Sequence, residues 1–337
     1  MIARRGLLAL PLAAALPAAR AGFGSPGWSG RPGPPIFVLN SQDADLSLIE
    51  PASLGVLRRT PTGKEPHHLY MTPDERSLIV ANAGSNSLTF LDPATGLVQR
   101  TLTDIVDPYH LRLSPDLRWF VTAANRLDHV DIYHWRPADA APLRLAKRLP
   151  APKTPSHLAI DSRSTVVYAS LQDSDEVLAI DLATQLPRWK RAVGRMPADI
   201  FLLADDRTLL VALTGDRFVQ AWDVGGAAPK LLGRIETGAG AHAFRARGDG
   251  RHVFVSNRVA NSISQVDTRT MTVVSQLPAP GGPDCMEVTR DGRTLLVTSR
   301  WARKLTVIDI ESRQVVRQVA VGRSPHGVWT LDHAPRL

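Results

Sequence analysis

The chain lacks features on which several classes of protein depend. It has one cysteine, Cys285, in 337 residues, so an intramolecular disulfide is excluded. No run of five or more like charges occurs, which excludes a polyacidic or polybasic interaction tail. The longest apolar stretch near the start, Gly6 to Ala18, is broken by Pro11 and Pro17. It is well short of the roughly 20 residues that a membrane-spanning helix needs.

Common catalytic signatures are missing as well. The sequence has no G-x-S-x-G elbow, no H-E-x-x-H zinc motif, no C-x-x-C, no Walker A loop and no dinucleotide-binding fingerprint. Hydrolase, P-loop and Rossmann functions therefore lose their usual support. The absences favour a binding protein over an enzyme, although they leave catalysis open.

The N-terminus has the pattern of an export signal. Arg4 and Arg5 form a basic start, the apolar stretch follows, and Ala19-Arg20-Ala21 is a small-x-small cleavage site. We predict a signal peptide over residues 1–21, a linker over residues 22–35, and a periplasmic or secreted protein, with Sec and twin-arginine export both open. Loss of three arginines with the signal lowers the formal charge from +8 to +5. This mild excess permits anionic partners without requiring them.

A short phrase, most often Pro-x-His or a variant of it, recurs before an apolar strand. Counted from the first residue, the steps between copies are 42, 47, 42, 43, 43 and 42 residues. The seven copies are Pro66-His67-His68, Pro108-Tyr109-His110, Pro155-Ser156-His157, Pro197-Ala198-Asp199, Gly240-Ala241-His242, Pro283-Asp284-Cys285 and Pro325-His326-Gly327. A period of about 42 residues is typical of a repeat architecture.

Each period contains four short β-branched stretches separated by turn residues, which predicts four strands per repeat. Before the first phrase the chain supplies three strands, and after the last phrase Val328 to Leu331 supplies one. We therefore predict an all-β fold, a single seven-bladed β-propeller over residues 36–337. Its last blade is closed by the N-terminal strands together with the C-terminal strand, which leaves no open sheet edge.

The repeat resembles a known family. The stretches Pro325-His326-Gly327-Val328, Asp291 to Val297 and Leu305 to Asp309 are similar to the YVTN repeat of exported YncE-like bacterial propellers. The wider superfamily includes the cytochrome cd1 and nitrous oxide reductase propellers, which carry haem d1 and copper, as well as binding proteins without known chemistry. The resemblance implies the fold strongly and leaves the function open.

The third residue of the phrase is the candidate metal ligand. In a closed ring these positions face a common axis, and six of the seven carry metal-ligand types. They are His68, His110, His157, Asp199, His242 and Cys285, with Gly327 in the seventh position and His326 beside it. Imidazole and thiolate favour copper or zinc over calcium or magnesium. The alternative is that tandem duplication spread one structural histidine among the blades, where it bonds only to backbone or water.

Cations cluster in the loops that should surround one opening of the channel. They could attract a carboxylate, a phosphate or the propionate of a haem-type tetrapyrrole, although for each residue taken singly solvated loop charge is the commoner explanation. The seven candidates for binding such a cofactor are Lys64, Arg126, Lys153, Arg195, Arg258, Arg300 and Arg323.

Three functions remain open from the sequence. The first, which we favour, is an exported binding or accessory propeller that holds a metal or metallo-cofactor at its axis. The second is a redox enzyme that uses this centre. The third is a scaffold for a protein or for single-stranded nucleic acid, to which the basic face and Trp301 could contribute. We expect a monomer without a transmembrane anchor, with a protein or a small anion as partner.

Overall fold

A computed structural model describes residues 32–336 of the chain. The predicted signal peptide and most of the predicted linker lie outside the described residues. No helix in the described part is long and apolar enough to cross a bilayer.

The described residues form 28 strands in seven four-stranded antiparallel sheets. In chain order the strands are β1 (Ile36–Asn40), β2 (Asp45–Ile49), β3 (Val56–Pro61), β4 (Pro66–Met71), β5 (Leu78–Asn82), β6 (Ser87–Leu91), β7 (Val98–Thr103), β8 (Pro108–Leu113), β9 (Trp119–Ala124), β10 (His129–Trp135), β11 (Leu143–Pro150), β12 (Pro155–Ile160), β13 (Val166–Leu171), β14 (Glu176–Asp181), β15 (Leu186–Ala192), β16 (Pro197–Leu202), β17 (Thr208–Leu213), β18 (Phe218–Asp223), β19 (Lys230–Glu236), β20 (Ala241–Ala246), β21 (His252–Asn257), β22 (Ser262–Asp267), β23 (Thr272–Pro278), β24 (Pro283–Val288), β25 (Thr294–Ser299), β26 (Lys304–Asp309), β27 (Gln314–Ala320) and β28 (Pro325–Thr330).

Blades 1 to 6 are built from consecutive strands, β4–β7 through β24–β27, and the seventh blade has the order β28-β1-β2-β3. The C-terminal strand β28 is therefore the innermost strand of a blade whose other strands come from the N-terminal side. Phe37 of β1 lies opposite Trp329 of β28, and their rings are 5.7 Å apart. The prediction of a seven-bladed all-β ring closed in this way is confirmed.

The core lies between neighbouring blades. The middle strands β5 and β6 are buried along their whole length, whereas the outermost strand β7 is mostly exposed. One apolar cluster joins Phe37 and Leu48 of blade 7 to Leu78 and Val80 of blade 1. Because each blade buries its faces only against its neighbours, ring closure is needed to complete the core.

The chain continues past β28 and packs against blades 5 and 6. The Ala334 amide donates to the carbonyl of Val288 at 2.8 Å, and Arg245 donates to the carbonyl of Ala334 at 2.7 Å. Arg336 forms an ion pair with Glu287, which also pairs with Arg245. The tail thus lies against the hairpin side of the innermost strands, opposite the loops that carry the predicted cations.

Candidate functional site

Every innermost strand has a β-bulge directly after its first residue. In blade 1, Pro66 pairs with Asn82 and Leu69 pairs with Val80, so His67 and His68 together oppose a single residue. The same shift occurs in the other six blades. Since a bulge re-aims side chains, two consecutive residues of a blade can reach the channel. The His67 and His68 rings lie 4.8 Å apart, and both lie within 5 Å of the His326 ring.

The bulges define two layers of channel residues. They also show that the repeated phrase of blade 5 begins one residue later than the sequence predicted. In most blades the residue that pairs just before the bulge is the proline of the phrase. In blade 5 this residue is Ala241, which pairs with Asn257, and not Gly240. His242 therefore occupies the second position, not the third as predicted. The second-position residues are His67, Tyr109, Ser156, Ala198, His242, Asp284 and His326, and the third-position residues are His68, His110, His157, Asp199, Ala243, Cys285 and Gly327.

Three predicted ligands do come together. The rings of His68, His110 and His157, which we call the His68 triad, lie 4.5 to 4.8 Å apart. One nitrogen of each lies within 4.8 Å of the others. The backbone amide of Leu158 donates to Nδ1 of His110 at 3.3 Å, so the proton of this neutral ring lies on Nε2. That bond gives His110 a structural role within the triad.

A second cluster combines His242, Asp284 and His326, which we call the His242 triad. Asp284 Oδ1 lies 3.2 Å from Nδ1 of His242 and 3.4 Å from Nε2 of His326. All three side chains are buried, and none of these three atoms has a hydrogen-bond partner in the described structure. Two ligands of a tetrahedral ion with bonds of about 2.0–2.1 Å stand roughly 3.3 Å apart, which matches both distances.

The proton positions in the His242 triad are set by one backbone bond. Nδ1 of His326 lies 2.9 Å from the carbonyl oxygen of His67, which can only accept, so Nδ1 carries the proton and donates. In the neutral ring, Nε2 then points a lone pair at the carboxylate of Asp284. A methyl group at Gly327 would lie 3.0 Å from the same carbonyl oxygen, so the glycine leaves room for this approach.

Burial keeps the channel histidines neutral. Removal from water lowers the pKa of His326 to about 3 and holds the pKa of His67, His68 and His242 well below the usual range. For Asp284, burial opposes ionisation, but the guanidinium groups of Arg258 and Arg300 hold its pKa well below normal. At neutral pH the His242 triad therefore presents neutral imidazoles and one carboxylate, which is the state that binds metal.

Two of the predicted cations orient this carboxylate. Arg258 and Arg300 donate to Oδ2 of Asp284 at 2.6 and 3.3 Å, which leaves Oδ1 for the histidines. Arg300 also donates to Ser324 at 3.0 Å. Both arginines thus contact a buried acid of the protein itself.

The other predicted cations do not gather at one point. Arg126 pairs with Asp107 at 2.9 Å and with Glu65. Arg195 pairs with Asp216, and Arg323 pairs with Asp43. Within residues 32–336, the exposed side chains of Lys64 and Lys153 have no ion-pair partner.

Two predicted ligands stand outside both triads. The carboxylate of Asp199 accepts the backbone amides of Ile200 and Phe244 at 2.9 and 2.8 Å, which ties it to the strands. Cys285 Sγ lies 3.4 Å from Nδ1 of His326. Burial raises the pKa of this thiol well above its usual range, so it stays protonated at neutral pH.

A cleft of about 250 Å³ opens on the loop face, beside the histidines; we call it the loop-face cleft. Its lining includes the neighbouring rings of His67 and Tyr109, whose centroids lie 3.8 Å apart, together with Arg126 and Arg300. The His67 ring also lies against that of His326, tilted by 37° with the centroids 3.6 Å apart. The cleft and the His242 triad are therefore in direct contact.

Sequence reasoning missed His67 and Asp284 as channel residues and noted His326 only as a neighbour of Gly327. All three occupy the second position of the repeated phrase. The ligand-type side chains at that position were a signal in the sequence, but the bulge that brings them inward is visible only in the pairing.

Comparison with known structures shows the same fold in proteins of different activity. A functionally unknown protein from Desulfotomaculum acetoxidans is 16% identical, with a TM-score of 0.74 over 88% of this chain and 98% of that chain. The periplasmic gluconolactonase PpgL of Pseudomonas aeruginosa is 19% identical, with a TM-score of 0.74 over 90% and 99%. Dihydro-heme d1 dehydrogenase NirN is 16% identical, with a TM-score of 0.66 over 91% and 77%.

No curated protein sequence matches the chain significantly. The family described as YNCE-like beta-propeller matches it over residues 2–336. This match spans nearly the whole chain and agrees with the seven-bladed ring and the repeated phrase. The chain belongs to the YNCE-like beta-propeller family.

Proposed function

We propose that this protein is an exported propeller that binds a divalent transition metal, zinc or copper, at the His242 triad. The observation that carries the proposal is a pair of buried acceptors that face each other without a proton between them. Nε2 of His326 and Oδ1 of Asp284 lie 3.4 Å apart, with Nδ1 of His242 3.2 Å from the same oxygen. A buried arrangement of this kind is costly unless a cation lies between the atoms.

The donor set selects the class of ion. Two imidazole nitrogens and one carboxylate oxygen suit zinc or copper, whereas calcium and magnesium prefer shells made of oxygen. The carboxylate is held by two arginines, as ligating carboxylates usually are held by an outer layer of hydrogen bonds. The cleft, at about 250 Å³, lies below the usual 300–1,000 Å³ of drug-sized ligand sites, which favours a bare metal ion over a haem-type group.

The export half of the proposal is supported by the sequence of residues 1–21, with its basic start, apolar stretch and small-residue cleavage site. It predicts that the mature protein, recovered from the periplasm or the medium, begins near Gly22. N-terminal sequencing of that protein would check the cleavage. Recovery of the full-length chain from the cytoplasm alone would contradict export.

The metal half is tested by titrating metal-free protein with Zn(II) and Cu(II) in a calorimeter. We expect a single tight site, with His242→Gln and His326→Gln each weakening it by at least about 100-fold, because each removes one ligand. His110→Gln is the matched control inside the channel. It should bind as the natural protein does, since Nδ1 of His110 accepts a backbone amide.

The outcomes separate the two triads. Loss of binding in His110→Gln, with binding retained in His242→Gln, would move the site to the His68 triad and overturn the assignment made here. Binding that survives in all three variants would show that the channel histidines are structural. Near-ultraviolet circular dichroism of each variant would establish that the fold is intact.

A further inference from the structure

The loop-face cleft has two oppositely charged ends. At one end Arg126 is shared by two carboxylates, Asp107 and Glu65, so one negative charge remains uncompensated. At the other end Arg258 and Arg300 share the single carboxylate of Asp284, so one positive charge remains. Arg126 and Arg300 both line the cleft, as do Glu65 and Asp107.

A buried polar atom without a partner lies between these ends. His67 lines the cleft and only 6% of its surface is exposed, yet its Nδ1 has no hydrogen-bond partner in the described structure. Because water cannot reach this nitrogen, a ligand in the cleft meets only the rest of the His67 ring, which forms part of the wall between the two charged ends. Its burial among neighbouring rings keeps it in place.

The size of the cleft limits the ligand. A volume of about 250 Å³ equals roughly eight waters at about 30 Å³ each, which is room for a molecule of about eight non-hydrogen atoms. A net anion would meet the uncompensated acid at the Glu65 end, and a net cation would meet Arg300. A ligand that carries both charges at a fixed separation satisfies both ends.

We propose that the loop-face cleft binds a small zwitterion of the amino acid class, with its carboxylate at Arg300 and its ammonium group at Glu65. This site goes beyond the metal proposal and does not depend on it, because neither of these two contacts requires an ion in the His242 triad.

The test uses metal-free protein and a series of ω-amino acids of increasing length, from glycine and β-alanine to γ-aminobutyrate and 6-aminohexanoate. We expect calorimetry to show binding with a clear optimum at one length, because the separation of the two charged ends is fixed. Butyrate and butylamine, which each carry one of the two charges of γ-aminobutyrate, should bind at least about tenfold more weakly. Binding of butyrate as tight as that of the zwitterion would overturn the proposal and leave a simple anion site.

Substitutions at Glu65 and Arg300 test which residue binds each charged group of the ligand. Glu65→Gln and Arg300→Gln should each weaken binding of the best ligand by about tenfold or more. Arg195→Gln, which removes a surface ion pair outside the cleft lining, is the matched control and should change nothing. Glu65 is half-exposed, so its substitution tests the site even if loss of Arg300 disturbs Asp284. No binding by any ligand of the series, or equal binding by Glu65→Gln, would exclude the zwitterion site while leaving the metal proposal intact.

Discussion

At the scale of single residues, the channel histidines make stability depend on pH. The pKa of His326 is about 3 in the folded protein and near 6.5 when the ring is exposed, because burial disfavours the charged form. As the pH falls, the unfolded state therefore takes up the proton first. The contribution of the neutral His326 to folding stability is complete above about pH 6.5 and is lost as the pH falls toward 3. The titratable and charged groups around His326 are His67, His68, His157, His242, Asp284, Arg258, Arg300 and Cys285.

We expect the free energy of unfolding of metal-free protein to fall between pH 6.5 and 4.5, by up to about 1.4 kcal/mol per pH unit for each histidine that stays neutral. Urea denaturation across this range measures the slope. His326→Gln should have a shallower slope, whereas His134→Gln, which removes a ring outside the channel that stacks on Trp119, should match the natural protein. Equal slopes in all three proteins would contradict the burial of a neutral His326.

Asp284 is the residue on which the site most depends for stability. Its side chain is fully buried between two arginines, so Asp284→Asn leaves buried positive charge without a counter-ion. We expect a loss of about 3–5 kcal/mol in the free energy of unfolding. Asp216→Asn, which removes the partner of the exposed Arg195, should cost less than about 1 kcal/mol. Similar losses in the two variants, measured by chemical denaturation, would show that the buried cluster is not specially stabilising.

At the scale of elements, ring closure gives a matched pair of truncations. Removal of residues 325–337 takes away β28, uncovers the edge of β1 and removes Trp329, which is 1% exposed. Removal of residues 332–337 keeps β28 and removes the tail contacts to blades 5 and 6. We expect the longer truncation to aggregate, because it exposes a hydrophobic strand edge, and the shorter one to remain monomeric with a lower melting temperature.

Size-exclusion chromatography and thermal melting of the two truncated proteins check this difference. A longer truncation that stays monomeric and melts cooperatively at the natural temperature would contradict closure by β28. Aggregation of both proteins would mean that the tail contributes as much as the strand.

The same elements show what the sequence could predict. Strand number, blade number and closure follow from the repeat, because a period of four short strands has few other ways to bury its faces. The register within blade 5 did not follow, since the phrase begins with Gly240-Ala241 where other copies begin with proline. A shift of one residue moves His242 between channel layers, and only strand pairing decides it.

Charges were harder to predict than strands. Seven loop cations were expected to face a ligand, but five of them have carboxylate partners supplied by other loops or by the bulges. These partners are distant along the chain; Arg126 and Glu65, for example, are 61 residues apart. Pairing of this kind depends on the arrangement of blades around the axis, which a repeat pattern gives only in outline.

At the scale of the whole molecule, the two faces of the ring differ. The loop face carries the cleft that contacts the His242 triad, and the C-terminal tail lies against the opposite side of blades 5 and 6. Ligand and metal would therefore meet on the loop side. Arg300 joins them, because it lines the cleft and also contacts Asp284.

If both proposals hold, the two sites are coupled. A divalent ion in the His242 triad adds positive charge behind Arg300, which strengthens the attraction for the carboxylate of a ligand in the cleft. We expect γ-aminobutyrate to bind zinc-loaded protein about fivefold or more tightly than metal-free protein, within the usual range of coupling between sites. Thermodynamic linkage then requires zinc to bind more tightly, by the same factor, when γ-aminobutyrate is present.

Calorimetric titrations in both orders measure the two factors, and in Glu65→Gln the zinc affinity without ligand should be unchanged. Equal affinities with and without metal would show that the cleft and the triad are electrostatically independent despite their contact through His67 and Arg300.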